Sequence, residues 1–236
     1  MSTTGMPMPQ AVILAFEGVL APAGILRDTL EPHALEALPG FLARHASTTA
    51  VQRVLADIRA YAGRELDTAG LEEQIRAWIR GGQDITPVRQ LQGLIWADAL
   101  ESGDLGPELP GDTAGALVDL ADAGVGLYSF GAIPAPVQRA WLRHGPRPEL
   151  EDRFAGWFDT RLGGRRDAGS YRRLSDEIGT PPEAVLFLSP RRDELDAARQ
   201  AWLQTARPQP APDDAEDDGH PVRSLTSLTT GTAGSG

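Results

Sequence analysis

Short apolar runs separated by polar, amphipathic stretches predict strands that alternate with helices. Residues 11–15 form a run that is too short for a helix, and they predict a buried strand ending at Ala15. Similar runs predict further strands at 125–129 and 184–189, with a short extended segment at 154–160. Helical patterns lie between and after them, at 112–123, from Pro134 onward, at 168–178 and at 193–201. This alternation predicts an α/β fold with a parallel sheet.

One long region interrupts that alternation. Residues 22–108 carry apolar side chains at helical spacing almost throughout, and glycine or proline marks the breaks between successive groups. The region therefore predicts an inserted all-helical unit of about four or five helices. The α/β core then consists of residues 11–21 and 109–206, preceded by a flexible N-terminus at 1–10.

The composition changes after residue 206. Residues 207–236 are first acidic and proline-rich and then rich in Ser, Thr and Gly. Such a segment buries too little apolar surface to order itself, so it predicts a disordered tail.

Charge and composition exclude several classes of function. The net charge of -11 disfavours nucleic acid as a partner, and the arginine cluster at 161–173 suits a small anion better than a duplex. The chain has no Cys and only four scattered His, so we expect no zinc site. No apolar stretch is long enough for a membrane, and the N-terminus lacks the pattern of a signal peptide. We therefore expect a cytoplasmic protein without a membrane partner; the pattern does not indicate an oligomeric state.

Five motifs follow one another in an informative order: AVILAFEGV, LQGLIW, GVGLYSFGAI, GWFDTRLGG with SYRRL, and LFLSPRRDELDAAR. In this order the chain resembles the haloacid dehalogenase superfamily, and within it the acireductone synthases, which are enolase-phosphatases. The resemblance covers residues 11–206. It implies a Rossmann-like core with a parallel sheet and an inserted helical cap.

The same resemblance implies that several catalytic positions are degenerate. The family's nucleophilic aspartate corresponds to Ala15, and the threonine of that motif corresponds to Val19. A substrate-binding serine corresponds to Phe130, and an aspartate that completes the family's Mg²⁺ site corresponds to Pro190. Alanine has no atom that attacks phosphorus, and neither Ala15 nor Pro190 offers a carboxylate to Mg²⁺.

Other family positions keep chemically useful residues. Glu17 is retained at the head of the turn where a cleft would open, so it is the candidate catalytic acid or base, with capping of a nearby helix or turn as the alternative. Ser129 and Gly131 are retained as candidate ligand-binding residues, although Ser129 could equally bond to its own loop backbone. Glu194 is retained in the last motif, as a further ligand-binding residue.

Two arginines are candidates for an anion site, with a surface salt bridge as the alternative for Arg165 and a solvated surface position as the alternative for Arg191. Arg165 replaces the family lysine, and Arg191 follows the last predicted strand of the core. A guanidinium suits an oxyanion because it donates in a planar fork.

These substitutions lead to a first interpretation of function. The chain is predicted to have lost Mg²⁺-dependent phosphatase chemistry and to be a metal-independent isomerase, cyclase or lyase. Glu17 would move protons on an enolic or anionic metabolite. No cofactor and no bound metal are expected, and Mg²⁺ is expected only if the ancestral activity survives.

Two alternatives remain open. One is a non-catalytic ligand-binding or regulatory pseudophosphatase. The other is an acireductone synthase that acts on a phosphorylated diketone through a shifted site, with Glu17, Asp193 or Glu194 as the working carboxylate.

Overall fold

A six-stranded parallel sheet forms the centre of the α/β unit, which confirms the predicted fold class. The computed structural model describes residues 8–111, 113–209 and 219–230. In these residues the strand order is β3-β2-β1-β4-β5-β6, and every neighbouring pair is parallel. The strands are β1 Ala11–Ala15, β2 Gly126–Gly131, β3 Phe154–Asp159, β4 Val185–Leu188, β5 Gln204–Pro208 and β6 Val222–Arg223.

The two central strands are apolar on both faces. Every residue of β1 and β4 is buried, with at most 3% of the surface of any residue exposed. Continuous apolar runs of this kind are typical of parallel strands covered by helices on both sides. The apolar pattern of these two strands therefore predicted their burial, and the structure confirms it.

Nine α-helices occur in the described residues. Four belong to the inserted region, namely α1 Glu31–His45, α2 Thr49–Ala62, α3 Thr68–Arg80 and α4 Thr86–Ser102. The others are α5 Thr113–Asp122, α6 Ala135–Arg143, α7 Ala168–Ile178, α8 Arg192–Gln200 and the short α9 Ser227–Thr230.

The chain divides into two compact units. One is Gly24–Gly106, and the other combines Met1–Ala23 with Pro107–Gly236. These limits lie two residues inside the predicted insert of 22–108. None of the described helices is both long enough and apolar enough to cross a membrane.

The helical unit has its own caps and core. Thr48 and Asp67 cap α2 and α3 by accepting hydrogen bonds from the backbone N–H groups of Val51 and Gly70. Trp96 is fully buried, and its indole N–H donates to the carbonyl of Leu30 over 2.7 Å. This unit is therefore stabilised by ordinary helix packing.

The C-terminal region differs from the predicted disordered tail. Residues 207 and 208 belong to β5, and β6 pairs with it, with the backbone N–H of Arg207 donating to the carbonyl of Pro221 over 2.9 Å. The buried His220 imidazole lies 2.8 Å from the Thr205 hydroxyl and 3.1 Å from Asp196. Sheet pairing and this anchor supply the order that composition alone does not indicate. The rest of the predicted tail, at 210–218 and 231–236, and residues 1–7 of the predicted flexible N-terminus lie outside the described residues.

Candidate functional site

A tight turn after β1 presents Glu17 at the carboxyl edge of the sheet. Gly18 has φ +86°, which is the left-handed region, and its backbone N–H donates to the carbonyl of Ala21 over 2.7 Å. Ala15 is 3% exposed and Glu17 has 17% of its side chain exposed. The edge of a parallel sheet where strands end is the usual place for a ligand, so the turn is a candidate site.

Pro190 packs directly against this turn. A Cβ atom placed on Gly18 would lie 2.5 Å from Cγ of Pro190. Pro190 follows the end of β4, the strand beside β1. The two predicted degenerate positions Ala15 and Pro190 therefore lie at the ends of neighbouring strands, and neither side chain contributes an oxygen.

Arg165 joins the turn to the first turn of α8. Its Nη1 atom lies 2.8 Å from Oε1 of Glu194 and 3.8 Å from Oε1 of Glu17. Arg165 lies between β3 and α7, and its carbonyl accepts a 2.7 Å hydrogen bond from the hydroxyl of Tyr171. Tyr171 therefore holds the backbone of the loop that carries this arginine.

Glu194 is the most enclosed carboxylate of the group. Its side chain is 2% exposed, the Ser189 hydroxyl donates to it over 2.8 Å, and Nε of Arg191 lies 3.1 Å away. Burial raises the pKa of Glu194 above its ordinary value, even though Arg165 and Arg191 act in the opposite direction. Three side chains, those of Ser189, Arg165 and Arg191, hold this carboxylate in place.

Asp193 completes the group on its exposed side. It pairs with Nε of Arg166 at 2.6 Å and with Nη2 of Arg191 at 3.0 Å. Partial burial acts to raise the pKa of Asp193, but its arginine partners outweigh this and hold the pKa below its ordinary value.

The structure thus brings together four of the predicted site residues, Glu17, Arg165, Arg191 and Glu194. Two others, Ser129 and Gly131, lie on the neighbouring strand β2 and make packing contacts instead. Ser129 is fully buried and donates to Oε1 of Gln138 over 2.6 Å, and a Cβ atom on Gly131 would lie 2.7 Å from Cβ of Phe16. In this arrangement Ser129 and Gly131 pack β2 against its neighbours, because the hydroxyl is occupied and the glycine leaves room for Phe16.

The predicted degenerate positions Phe130 and Val19 are both buried, at 1% and 2% exposure. Phe130 contacts Tyr171 edge-on, with ring centroids 5.8 Å apart, and Tyr171 packs against Phe187 on its other side at 5.0 Å. Burial raises the pKa of Tyr171 far above its ordinary range, so its hydroxyl keeps its proton and remains a donor to Arg165. Sequence reasoning missed Tyr171, although the SYRRL motif contains it.

Asp159 is a second buried polar residue that the sequence did not indicate as a candidate. It ends β3 with 6% exposure and accepts 2.9 Å hydrogen bonds from the backbone N–H groups of Ala135 and Arg161. Burial acts to raise the pKa of Asp159, but the Arg161 guanidinium and these N–H groups outweigh it and lower the pKa. The motif GWFDTRLGG contains this aspartate and was the available signal.

A cavity of about 520 Å³ lies beside the Glu17 turn, within the α/β unit. Gly18 and Val19 line one side, Pro110 and Ala116 a second, and Leu225 of the C-terminal region a third. The described residues around it are mostly apolar, so the cavity suits the uncharged part of a small molecule.

The residues present do not fit a divalent metal. The described part of the chain contains no group of three or more His, Asp or Glu side chains that could hold a metal ion. Mg²⁺ prefers several oxygen ligands in octahedral geometry. At this edge one nitrogen of the Arg165 guanidinium lies within 4 Å of both the Glu17 and the Glu194 carboxylates. These two carboxylates are therefore paired with a cation of the chain itself, and they do not form an open site for a metal ion.

Comparisons with known proteins agree along nearly the whole chain, although no protein-family model matches it. A protein named Enolase-phosphatase E1 from Thioalkalivibrio sulfidiphilus is 39% identical over 217 residues, which is 91% of this chain and 96% of that protein. Proteins of the same name from Xylella fastidiosa and Aquifex aeolicus are 34% identical over 200 residues and 28% identical over 197 residues. These matches span 85% and 84% of this chain, and 86% and 88% of those proteins.

Solved structures show the same fold at lower identity. The UTR4 protein of Saccharomyces cerevisiae superposes with a TM-score of 0.74 at 21% identity, covering 91% of this chain and 97% of that one. L-2-haloacid dehalogenase from Xanthobacter autotrophicus has a TM-score of 0.55 at 16% identity, covering 94% and 98%. Both confirm the haloacid dehalogenase fold predicted from the motifs.

The relatives overturn the first interpretation of function. The substitutions at Ala15 and Pro190 predicted a metal-independent isomerase, cyclase or lyase without phosphatase chemistry, and that prediction is wrong. The proteins named Enolase-phosphatase E1 match the helical unit and the α/β unit together, at up to 39% identity. That agreement supports the last alternative, an enolase-phosphatase with a shifted site, better than it supports a new reaction.

Proposed function

Because the chain belongs to the enolase-phosphatase E1 family of the haloacid dehalogenase superfamily, we propose that it acts as an enolase-phosphatase on a small phosphorylated diketone. The observation that carries the proposal is the 39% identity to a protein of that name over 91% of the chain. Charged side chains at the carboxyl edge of β1 and β4 supply the groups with which this chain would work.

Glu17 is the carboxylate that we assign to proton transfer. Glu194 and Asp193 each have two arginine partners within 3.1 Å, whereas Nη1 of Arg165 lies 3.8 Å from Glu17. A loosely paired, partly exposed carboxylate can accept a proton from the carbon beside a carbonyl group and return it to the carbonyl oxygen, and these two transfers form the enol and leave the carboxylate ionised.

Arg165 is the residue that we assign to the phosphate group. A guanidinium binds phosphate oxygens through two parallel N–H groups, and Arg165 is 24% exposed beside Glu17. Removal of the phosphate needs an oxygen nucleophile in line with phosphorus, and Ala15 has none. We assign this step to a water molecule that attacks phosphorus and gives a proton to Glu17, while the bond between phosphorus and the ester oxygen of the substrate breaks and Glu17 returns the proton to that oxygen.

The proposed partner is therefore a small anionic or enolic molecule, and neither nucleic acid nor a membrane. The cytoplasm, where a soluble metabolite would be met, is the proposed location. Both parts of this proposal rest on the composition and net charge of -11.

The experiment is a paired assay of enol formation and phosphate release from a phosphorylated diketone, with the full chain and Glu17→Gln. Loss of a general base costs about 10²–10⁴-fold in turnover, so both products should fall by that factor. Glu183→Gln is the matched control, because Glu183 lies in the short turn before β4, at the opposite edge of the sheet. Its turnover should equal that of the wild type.

Two results would contradict the proposal. The first is thermal stabilisation of the wild type by the diketone phosphate without either product, which would show binding alone. The second is unchanged turnover in Glu17→Gln, which would remove Glu17 from the reaction.

A further inference from the structure

We propose that the Arg165 guanidinium is a built-in cation, which takes the place between Glu17 and Glu194 that a divalent metal would need. The inference rests on the proposed function only for the identity of the site. It concerns which cation this edge of the sheet holds, so metal binding in the absence of substrate tests it.

The first support is the position of one nitrogen. Nη1 of Arg165 faces Oε1 of Glu194 at 2.8 Å and Oε1 of Glu17 at 3.8 Å. A Mg²⁺ ion needs several oxygens at about 2.1 Å, and this one nitrogen lies within 4 Å of both carboxylates. A metal held by both carboxylates would have to displace this nitrogen.

The second support is the charge balance of the cluster. Each carboxylate of the cluster has at least one arginine partner within 4 Å, and the numbers of acidic and basic residues are equal. The acidic members are Glu17, Asp193 and Glu194, and the basic members are Arg165, Arg166 and Arg191. The cluster therefore has no net negative charge with which to attract a dication.

The third support is that the arginine is fixed at its backbone. The fully buried Tyr171 donates to the carbonyl of Arg165 over 2.7 Å, and Tyr171 is itself packed between Phe130 and Phe187. Pro190, at the end of β4, carries no side-chain donor and packs against Gly18. The loop therefore holds in place a guanidinium that lies within 4 Å of both carboxylates, while Arg191 also pairs with Glu194.

The experiment measures Mn²⁺ binding by electron paramagnetic resonance with the full chain and no substrate. The wild type should show no site at this edge. Arg165→Ser should gain a Mn²⁺ site, seen as at least about tenfold more bound Mn²⁺ than in the wild type at the same metal concentration, because two carboxylates then face an open position. Adding Glu194→Gln to that variant should remove the gained site.

The matched control is Arg166→Ser. Arg166 pairs with Asp193 at 2.6 Å, outside the Glu17 and Glu194 pair, so this variant should bind no more Mn²⁺ than the wild type. Arg165→Gln, which keeps the hydrogen-bonding capacity and loses the charge, is the second variant if Arg165→Ser does not fold.

Wild-type binding of Mn²⁺ that Glu194→Gln abolishes would overturn the proposal. So would folded Arg165→Ser and Arg165→Gln proteins that gain no site. Neither result depends on phosphate release, so a protein that releases no phosphate would contradict the proposed function and leave this measurement intact.

Discussion

The contact between Gly18 and Pro190 makes a quantitative prediction about the turn that carries Glu17. In Gly18→Ala the new Cβ would lie 2.5 Å from Cγ of Pro190 and 3.3 Å from its Cδ, at a backbone φ of +86°. A left-handed conformation costs an L-residue about 1–2 kcal/mol, and overpacking of a filled site costs about 1–3 kcal/mol. We expect the free energy of unfolding to fall by about 2–5 kcal/mol.

Two further variants separate the two contributions. Gly124 has φ +81° and nothing within 4 Å of an added Cβ, so Gly124→Ala should lose only the backbone part, about 1–2 kcal/mol. In Gly18→Ala combined with Pro190→Ala the nearest ring atoms are gone, and the remaining proline-derived contact is at 3.6 Å. The double variant should recover about 1–3 kcal/mol relative to additivity.

Urea unfolding followed by tryptophan fluorescence measures five proteins: the wild type, Gly18→Ala, Pro190→Ala, their double variant and Gly124→Ala. Gly18 and Gly124 belong to the same compact unit, so the same transition reports both. If Gly18→Ala costs no more than Gly124→Ala, or if Pro190→Ala restores nothing, then the proline does not pack on the turn and the geometry derived for Glu17 is wrong.

Three smaller changes test other parts of the structure. Hydrogen bonds from Arg143 and Arg139 lower the pKa of Glu151 from its ordinary 4.5 to about 2. The ionised carboxylate therefore stabilises the folded protein above pH 4.5, and this stabilisation should be lost as the pH falls from 4.5 toward 2. These arginines are half exposed, so we expect about 1–2 kcal/mol, which Glu151→Gln should remove in unfolding measured at pH 6 and pH 3. His220→Ala should release β6 and speed amide hydrogen exchange at Gln209, whose N–H donates to the carbonyl of Arg223; unchanged exchange would show that another contact anchors the segment. Trp96→Phe leaves the carbonyl of Leu30 without its 2.7 Å partner and should cost about 1–3 kcal/mol in urea unfolding, and an unchanged midpoint would refute that bond.

The fold was predictable because its strongest signals are local. β1 and β4 are continuous apolar runs, and α7 begins and ends where its periodicity and Gly179 indicate. β5 and β6 were missed because QTARP and VR carry no such run, and their order comes from parallel pairing and from the buried His220.

The site was predictable only in part. Glu17, Arg165 and Glu194 were found because motifs name them and because strand ends meet at one edge of a parallel sheet. The roles of Ser129 and Tyr171 depend on which distant side chain each one contacts, Gln138 in one case and the Arg165 carbonyl in the other. Spacing along the chain does not carry that information.

The function was misjudged for a related reason. The predicted loss of phosphatase activity rested on Ala15 and Pro190. The order of the motifs instead indicated the enolase-phosphatase relatives to which the chain is similar. The structure places two carboxylates and two arginines beside those positions, so the loss of particular side chains did not empty the site.

The most direct test of the account is phosphate release from a phosphorylated diketone by the purified full chain, compared with Glu17→Gln and Glu183→Gln. The account predicts turnover in the wild type and in Glu183→Gln, and a loss of about 10²–10⁴-fold in Glu17→Gln. A wild-type protein that binds the diketone phosphate and releases no phosphate would contradict it.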